Sequence, residues 1–479
     1  MLIFDNADDV FIIQEYLSQW GNGSILITTR ANAVGSLAAS LEVETMGLIE
    51  GTLLLLRRAQ RSERASDEEI NEAGNIVVAL DHFPLALDQA GAYIEEAGLS
   101  FGGYLEVFQN RRKEVLARRG TQATNYPDSV ATTWSLSFQK VEQGNPAAAE
   151  LLRLLAFLAP DTIPEELIRD GADHWNPPLQ QAVANPFTFN KMLEDLLKFS
   201  LVKRLAEEHM LSIHRLVQAV QMDSMELDAR RRWAERVVLA VNEIFPKESP
   251  LTRKDEEQLR LYLDQVQACS SLLLQYKLLL LEGADVLARA GRYIRSYSPA
   301  AAEPILEHAL EIREQRLEAD HPAIASNLFY LAISYSDPRR SSTRGKFGKA
   351  EQLFLRALKI QEQQLRTEHL DTAYTLDGLA TLYMAQGKYA EAEPLSLRSL
   401  RIMEQVWGAE DSRLAEYFNG IAILYSLQGK HAEAEPFSQR YNRIREQKIR
   451  EGSIKILATG DLPQDVWQSS LLSLRNRPE

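Results

Sequence analysis

The sequence predicts a multi-domain, mainly α-helical chain that ends in an α-solenoid and carries a short parallel α/β segment near its start. Three observations predict it. The 479 residues exceed what one hydrophobic core organises, so several domains of roughly 100–200 residues each are expected. A two-phrase motif recurs four times in the C-terminal part, at a period characteristic of helical repeat arrays. Near the start, two apolar runs, Leu2-Ile-Phe-Asp5 and Ser24-Ile-Leu-Ile-Thr-Thr-Arg30, alternate with helical patterns over 8–19 and 33–39. Alternating strands and helices imply parallel pairing, with functional side chains at the C-terminal ends of the strands. Leu41-Glu-Val-Glu-Thr-Met46 is a candidate third strand.

The repeated phrases are Ala-x-x-Tyr, at Ala290/Tyr293, Ala332/Tyr335, Ala380/Tyr383 and Ala422/Tyr425, and Ala-Glu, at Ala302, Ala350, Ala392 and Ala434. The tyrosine numbers step by 42, 48 and 42, and those of the second phrase by 48, 42 and 42. One unit therefore carries six extra residues. They fall in Asp337-Pro-Arg-Arg-Ser-Ser-Thr-Arg-Gly345, a polar, Pro/Gly-punctuated stretch suited to an inter-helix loop. Each unit contains two amphipathic stripes. In the third, Leu376, Leu379, Ala380 and Tyr383 share one face, Gly387 breaks the chain, and Ala392, Leu395, Ser399, Leu400 and Met403 share the next. Small residues at Ala380, Ala392 and Ser399 allow close helix approach, and a lone unit cannot bury its apolar face, so stacking is obligatory.

Gln386-Gly-Lys-Tyr-Ala-Glu-Ala-Glu393 and Asp320-His-Pro322 resemble tetratricopeptide repeats of the kinesin-light-chain type. The resemblance implies a protein- or peptide-binding groove. The exposed face of each first helix is the expected contact surface, through the equivalent positions Asp285, Asn327, Thr375 and Tyr417. Residues 278–447 are expected to stack as four right-handed helix pairs, with Ile454 to Leu474 as a cap.

At the other end, an apolar strand closing on Asp5 has the Walker B form, in which the carboxylate holds Mg²⁺ beside a nucleoside triphosphate. The order Leu2-Ile-Phe-Asp-Asn-Ala-Asp-Asp9, a helix, then Gly23-Ser-Ile-Leu-Ile-Thr-Thr-Arg30 resembles the middle of an NB-ARC domain, the nucleotide switch of STAND NTPases. Asp81-His-Phe-Pro-Leu-Ala-Leu-Asp-Gln-Ala90 is similar to the family's Gly-Leu-Pro-Leu helix start, with His82 in the glycine's place. Val130-Ala-Thr-Thr-Trp-Ser-Leu-Ser137 resembles the opening of its winged-helix subdomain, and Ser212-Ile-His-Arg-Leu-Val-Gln218 its Met-His-Asp motif, with Arg215 where the acid would stand. The resemblance implies ADP/ATP with Mg²⁺ as cofactor. It implies nucleotide contacts at Asp5, Arg30, Pro84 (against adenine) and His214 (at the β-phosphate), and Mg²⁺ at Asp5 through water.

No Gly-x-x-x-x-Gly-Lys-Ser/Thr loop occurs; Gly345-Lys346, Gly387-Lys388 and Gly429-Lys430 all lie in repeat turns without a following Ser or Thr. Since Walker B begins at residue 2, the nucleotide domain is expected to be truncated and to bind nucleotide weakly. Asn6, where a second acid usually follows, cannot serve as general base, so hydrolysis is not expected. The organisation expected is a partial α/β P-loop-type domain over 1–48, a helical subdomain over 49–120, a winged-helix subdomain over 125–227, a helical linker over 228–277, the array over 278–450 and a cap over 451–479.

Composition narrows the function classes. Hydrophobic residues at 45% and charged residues at 25% are an ordinary globular balance, and the net charge of -14 repels phosphate backbones and anionic lipid. Between Lys191 and Met225 five basic residues face five acidic ones, so the candidate winged helix has no basic stripe for DNA. Cys269 is the only cysteine, which excludes an intramolecular disulfide and fits a cytoplasmic setting. No apolar run reaches the roughly 18 residues of a membrane span, and no basic segment precedes the first strand as in a signal peptide. The leading expectation is a signalling protein whose repeats sense or scaffold a protein partner beside an incomplete nucleotide switch, self-association being possible through exposed strand edges. The alternatives are a stand-alone repeat scaffold and a winged-helix transcriptional regulator.

Overall fold

The computed structural model describes residues 2–4, 24–28, 41, 45–62, 65–118, 129–247, 253–336, 346–365 and 368–450. The chain divides into two compact units, Met1–Leu278 and Leu279–Glu479.

In the first unit, β1 (Leu2–Phe4) and β2 (Ile25–Ile27) pair in parallel with Leu2 opposite Ile25, and Thr28 N donates to Phe4 O to extend the ladder. Ile3 and Leu26 remain half exposed, at 54% and 51%. Asp5, Arg30 and the helical segments expected over 8–19 and 33–39 lie outside the described residues. The expected third strand is not formed by Leu41, Thr45 or Met46. The Met46 amide donates instead to the His82 carbonyl, 3.2 Å away, so its backbone bond goes to a helix-connecting turn and not to a sheet neighbour.

Five helices follow: α1 (Leu48–Arg58), α2 (Asp67–Ala79), α3 (Pro84–Ala97), α4 (Phe101–Asn110) and α5 (Arg112–Ala117). Their limits are written in local chemistry. Ser66 and Glu69 form a reciprocal capping box at the start of α2, followed by three acids that suit the positive end of the helix dipole. Pro84 opens α3 at its first turn, where a missing N–H costs nothing, and Gly98 closes it at φ 66°. Leu55, Ile76, Leu87, Ile94, Phe101 and Tyr104 bury one core, which takes in Val130, Leu216 and Val220 from farther along the chain.

Next come α6 (Val130–Gly144), α7 (Pro146–Leu155), β3 (Ile163–Pro164), α8 (Glu165–Asp170), α9 (Pro177–Val183), α10 (Pro186–Lys198), β4 (Val202–Leu205), β5 (Met210–Ile213) and α11 (Arg215–Asp223). The three strands make an antiparallel sheet in the order β3-β5-β4. Beneath it Glu165, 1% exposed, receives Arg204 through Nε at 2.6 Å and Nη2 at 3.0 Å, with Arg169 Nη2 also at 3.0 Å. The stretch expected as a linker forms α12 (Leu227–Ile244) and α13 (Arg253–Gln275), both packed within this unit. The fully buried Gln265 of α13 accepts from Ala159 N and donates to Thr162 O, which pins the α7–β3 turn.

The second unit is four helix pairs: α14 (Leu281–Arg295) with α15 (Pro299–Arg316), α16 (Pro322–Ser336) with α17 (Phe347–Gln364), α18 (Leu370–Ala385) with α19 (Tyr389–Trp407), and α20 (Ala415–Leu427) with α21 (His431–Arg450). The small residues singled out by the repeat are buried at the contacts: Ala290, Ala302, Ala309, Ala332, Ala350, Ala357 and Ala392 are fully covered. Ser399 Oγ donates to Ala373 O at 2.8 Å across the third pair. Within the last two pairs Gly387 and Gly429 sit at φ 76°, which lets Lys388 N and Lys430 N fold back onto the carbonyls of Tyr383 and Tyr425. These Gly-Lys pairs are helix terminators. His321 and His369 cap α16 and α18 by accepting from Ala323 N and Asp371 N, and Asp411 accepts from Arg413 N at the short 3-10 turn Ser412–Leu414 that leads into α20. The proposed cap over 454–474 lies outside the described residues, as does the stretch 337–345 in which the six extra residues fall.

Candidate functional site

Two places in the molecule gather the residues that the sequence marks as functional. The first lies in the first unit, where the turn before α3 meets the β5–α11 junction and α6. Asp81 and His82 terminate α2 with positive φ, 52° and 60°, while His82 N donates to Val77 O in the six-to-one bond of a Schellman turn. His82 thus occupies a left-handed position that glycine adopts without strain, which is the physical reason a glycine stands there in the motif it resembles. The turn delivers Phe83 and Pro84 to the site. Phe83, Trp134 and His214 make a closed aromatic triangle, with ring centroids 5.1 Å apart for Phe83–Trp134, 5.2 Å for Phe83–His214 and 6.0 Å for Trp134–His214.

His214 caps α11. Its Nδ1 accepts from Leu216 N at 3.2 Å and lies 3.5 Å from Asp81 Oδ2. The Arg215 amide also donates to Asp81, and the Arg215 guanidinium spans Asp81 and Asp161. Burial pushes the imidazole below its ordinary range, the Asp81 carboxylate pulls it back up in part, and Arg215 adds to the depression. A neutral ring with Nδ1 accepting carries its proton on Nε2, and that nitrogen is buried without a partner among the described residues. Arg215, where an acid would stand in the motif, is therefore tied to two carboxylates beside the histidine. Removing one of them should be visible: Asp81→Asn is expected to lower the His214 titration midpoint further, as followed by its ring-proton NMR shifts. An upward move would show that Asp81 does not govern this imidazole.

Of the four residues marked in the sequence, Pro84 and His214 are brought to one place, while Asp5 and Arg30 fall outside the described residues. Trp134, Phe83 and Asp81 were not singled out for this site. Their signal existed, since Trp134 and Phe83 lie inside the matched phrases, but His214 stands far downstream of Trp134 and only folding joins them.

The second place is the array. The exposed face expected at Asp285, Asn327, Thr375 and Tyr417 is corrected by the structure. Asn327 and Thr375 are buried, at 1% and 0%. Asn327 donates to Leu306 O at 2.7 Å and accepts from Arg313, which also pairs with Asp285 at 2.6 Å. Thr375 Oγ1 returns to Asp371 O. This position faces the stacking seam, and only Asp285 and the half-buried Tyr417 keep an outer surface.

A different set of repeated side chains binds unit to unit. Glu351, from the Ala-Glu phrase of the second pair, accepts from the Tyr383 hydroxyl of the third pair at 2.9 Å, and Lys388 lies 3.8 Å from the same carboxylate. Lys388 also sits 5.2 Å over the Tyr383 ring. Glu393, Tyr425 and Lys430 repeat this arrangement one unit on, with Lys430 Nζ 2.7 Å from Glu393 and 5.6 Å over the Tyr425 ring. In the preceding step Lys346 pairs with Glu303 at 2.6 Å, and Tyr335 bonds Glu307. Burial and the adjacent Glu351 carboxylate push the Tyr383 hydroxyl up to about 12. The glutamate, lysine and tyrosine of the motif are thus joined between repeats. Among the described residues no His/Cys/Asp/Glu cluster could hold a metal ion, and no helix is long and apolar enough to cross a membrane.

Comparison with known proteins agrees with this division. Two family models described as tetratricopeptide repeat match this chain, one over 289–323 and the other over 342–405 and 375–447, and one described as a domain of unknown function matches 139–230. The chain is 27% identical over 244 residues to a nucleotide-binding leucine-rich repeat (NLR)-like protein of Hyaloscypha variabilis, a match covering 46% of this chain and 23% of that relative. The chain thus matches under a quarter of that relative's length. Among solved structures, kinesin light chain nearly identical TPR-like repeats from Podosopora anserina share 23% identity over 41% of this chain and 96% of theirs, with a TM-score of 0.32. A signal transduction ATPase with numerous domains (STAND) and a tetratricopeptide repeat sensor, from Pyrococcus horikoshii, shares 13% identity over 99% of this chain and 78% of its own, with a TM-score of 0.25. The repeat-model matches and the NLR-like relative support an NB-ARC–tetratricopeptide architecture for this chain, with its C-terminal helix pairs being tetratricopeptide repeats.

Proposed function

We propose that this chain is a signalling protein that engages a protein or peptide partner through its repeat array, next to an NB-ARC-type part that makes little use of nucleotide. The observation carrying this reading is the array itself. Its repeated residues are consumed in packing, capping and the Glu-Lys-Tyr links between units, whereas other first-helix positions, such as the equivalent Leu287, Phe329, Asp377 and Asn419, differ from unit to unit. A uniform scaffold with a variable surface is the arrangement that recognises an extended partner. Selection of random peptides displayed on phage against the full chain tests it. A chain that retains no peptide would remove the reading.

For the first unit, the resemblance assigns ADP or ATP with Mg²⁺ to Asp5, Arg30, Pro84 and His214, in a winged-helix and helical setting. Pro84 beside an aromatic triangle suits the face of a base, and a buried Nε2–H of His214 suits a phosphate oxygen. These groups supply one phosphate donor, while the nest of backbone amides, the lysine and the metal-binding hydroxyl of a Gly-x-x-x-x-Gly-Lys-Ser/Thr loop are not in the sequence. Calorimetric titration of the chain with ADP and with ATP–Mg²⁺ should therefore give dissociation constants weaker than about micromolar. Micromolar or tighter binding would mean that other residues hold the phosphates. The setting proposed is cytoplasmic.

A further inference from the structure

Asp377, in α18, is the unexplained group of the array. Protein surrounds it closely, yet it keeps an accessible edge, and it makes no hydrogen bond or ion pair among the described residues. The equivalent positions in the other units are Leu287, Phe329 and Asn419, so no repeat-wide packing scheme calls for an acid there. Beside it, within electrostatic reach, is Tyr417 of α20. Tyr417 begins a row of rings across the third and fourth units: its centroid is 6.3 Å from Trp407, which is 6.4 Å from Tyr374. The middle ring of this row already carries a cation, since the Arg413 guanidinium lies 4.4 Å over the Trp407 ring. One turn along α20 from Tyr417, a Cβ at Gly420 would meet nothing within 4 Å, so there is room on that face.

We propose that the surface at Asp377 and Tyr417, continued by the rings of Trp407 and Tyr374, receives a lysine or arginine side chain of the partner, its charge on the Asp377 carboxylate and its stem along the rings. The inference rests on the protein-binding reading above and names the chemistry of the ligand. The physical case is complementarity. A carboxylate taken from water without a counter-charge is costly, and the occupant that best relieves it is a cation. Aromatic faces bind the same cation and accommodate its aliphatic stem. A neutral or acidic side chain would gain from the rings and lose at the carboxylate.

Burial alone lifts Asp377 to about 7, so in the free protein it is half protonated near neutrality. The titratable groups around it are Tyr417 from α20, Tyr374 on its own helix and, beyond Tyr374, Tyr330 of α16 with Arg413. Neither tyrosine titrates below neutrality, since both hydroxyls are pushed up by burial. Because the folded-state value is raised above that of the unfolded chain, ionisation destabilises the fold above pH 7, and the penalty fades as pH falls toward the ordinary carboxyl range.

The test uses the peptides selected on the full chain. The tightest is synthesised as selected and with each Lys or Arg replaced by norleucine, then titrated calorimetrically against wild type, Asp377→Asn and Gly420→Leu, the last filling the open space without touching charge. Expected are one basic residue whose replacement weakens binding about tenfold, loss of that discrimination in Asp377→Asn, and weaker binding to Gly420→Leu. At pH 6 the wild type should release close to one proton on binding, read from buffers of different ionisation enthalpy, and Asp377→Asn none. Free Asp377→Asn should melt higher than wild type at pH 8 and equally at pH 4. Peptides that bind without any dependence on Lys or Arg, or equal binding and proton release by Asp377→Asn, overturn the inference and leave the protein-binding reading standing. Failure of any peptide to bind wild type removes both.

Discussion

Replacing Phe354 by alanine should destabilise the array by about 3–5 kcal/mol, the range for deleting a fully buried aromatic ring. Phe354 is 0% exposed and belongs to the second helix of one unit, yet its ring lies against Gly378 on the first helix of the next. A Cβ at Gly378 would come within 2.7 Å of that ring, so the glycine exists to admit it. Phe329 completes the contact with its ring centroid 6.1 Å away and inclined by 63°. The loss therefore falls on an interface between units. In a stack where each repeat touches only its neighbours, weakening one interface uncouples what lies on either side. Calorimetry should show the array transition moving down and broadening or splitting, with amides of α18 to α21 exchanging independently of α14 to α17. A single sharp transition at the wild-type temperature would mean that this ring does not couple the units.

The second large effect is expected in the first unit. Arg204→Met leaves the Glu165 carboxylate buried beneath the β3-β5-β4 sheet with only the half-exposed Arg169 as counter-charge. Breaking a buried pair from one side typically costs about 3–5 kcal/mol, and the lower end applies because Arg169 remains. Replacing both partners, Glu165→Leu with Arg204→Met, should recover much of the loss, since no charge then stays desolvated. Urea melts of the full chain decide it, and a double variant less stable than Arg204→Met would show that the pair carries a geometric role apolar packing cannot supply. The position of the pair points to what that role would be. β5 ends at Ile213, so the sheet that Glu165 and Arg204 brace sets where His214 enters the Phe83–Trp134 triangle.

The sequence by itself determined the repeat period, the pairing of helices and the small residues at their contacts. These are properties of a single repeat unit, and helical periodicity states them directly. It also determined the parallel pairing of Leu2–Phe4 with Ile25–Ile27, because apolar runs separated by a helical pattern leave few other topologies. The tertiary structure decided what lies at the seams. Asn327 and Thr375 look exposed on a single helix and are buried, Asn327 because it bonds Leu306 and Arg313 of the preceding unit. The Glu351, Tyr383 and Lys388 contact looks like three solvated polar residues until stacking brings two units together. Leu41 to Met46 has a strand's composition, yet Met46 spends its amide on the turn that leads into Pro84. His214 and Asp81 come from distant parts of the chain, and Asp377 and Tyr417 stand on helices of different repeats. Local pattern fixes which face of a helix is apolar, whereas the burial of a polar side chain depends on which other element covers it, and that is settled only by the packed chain.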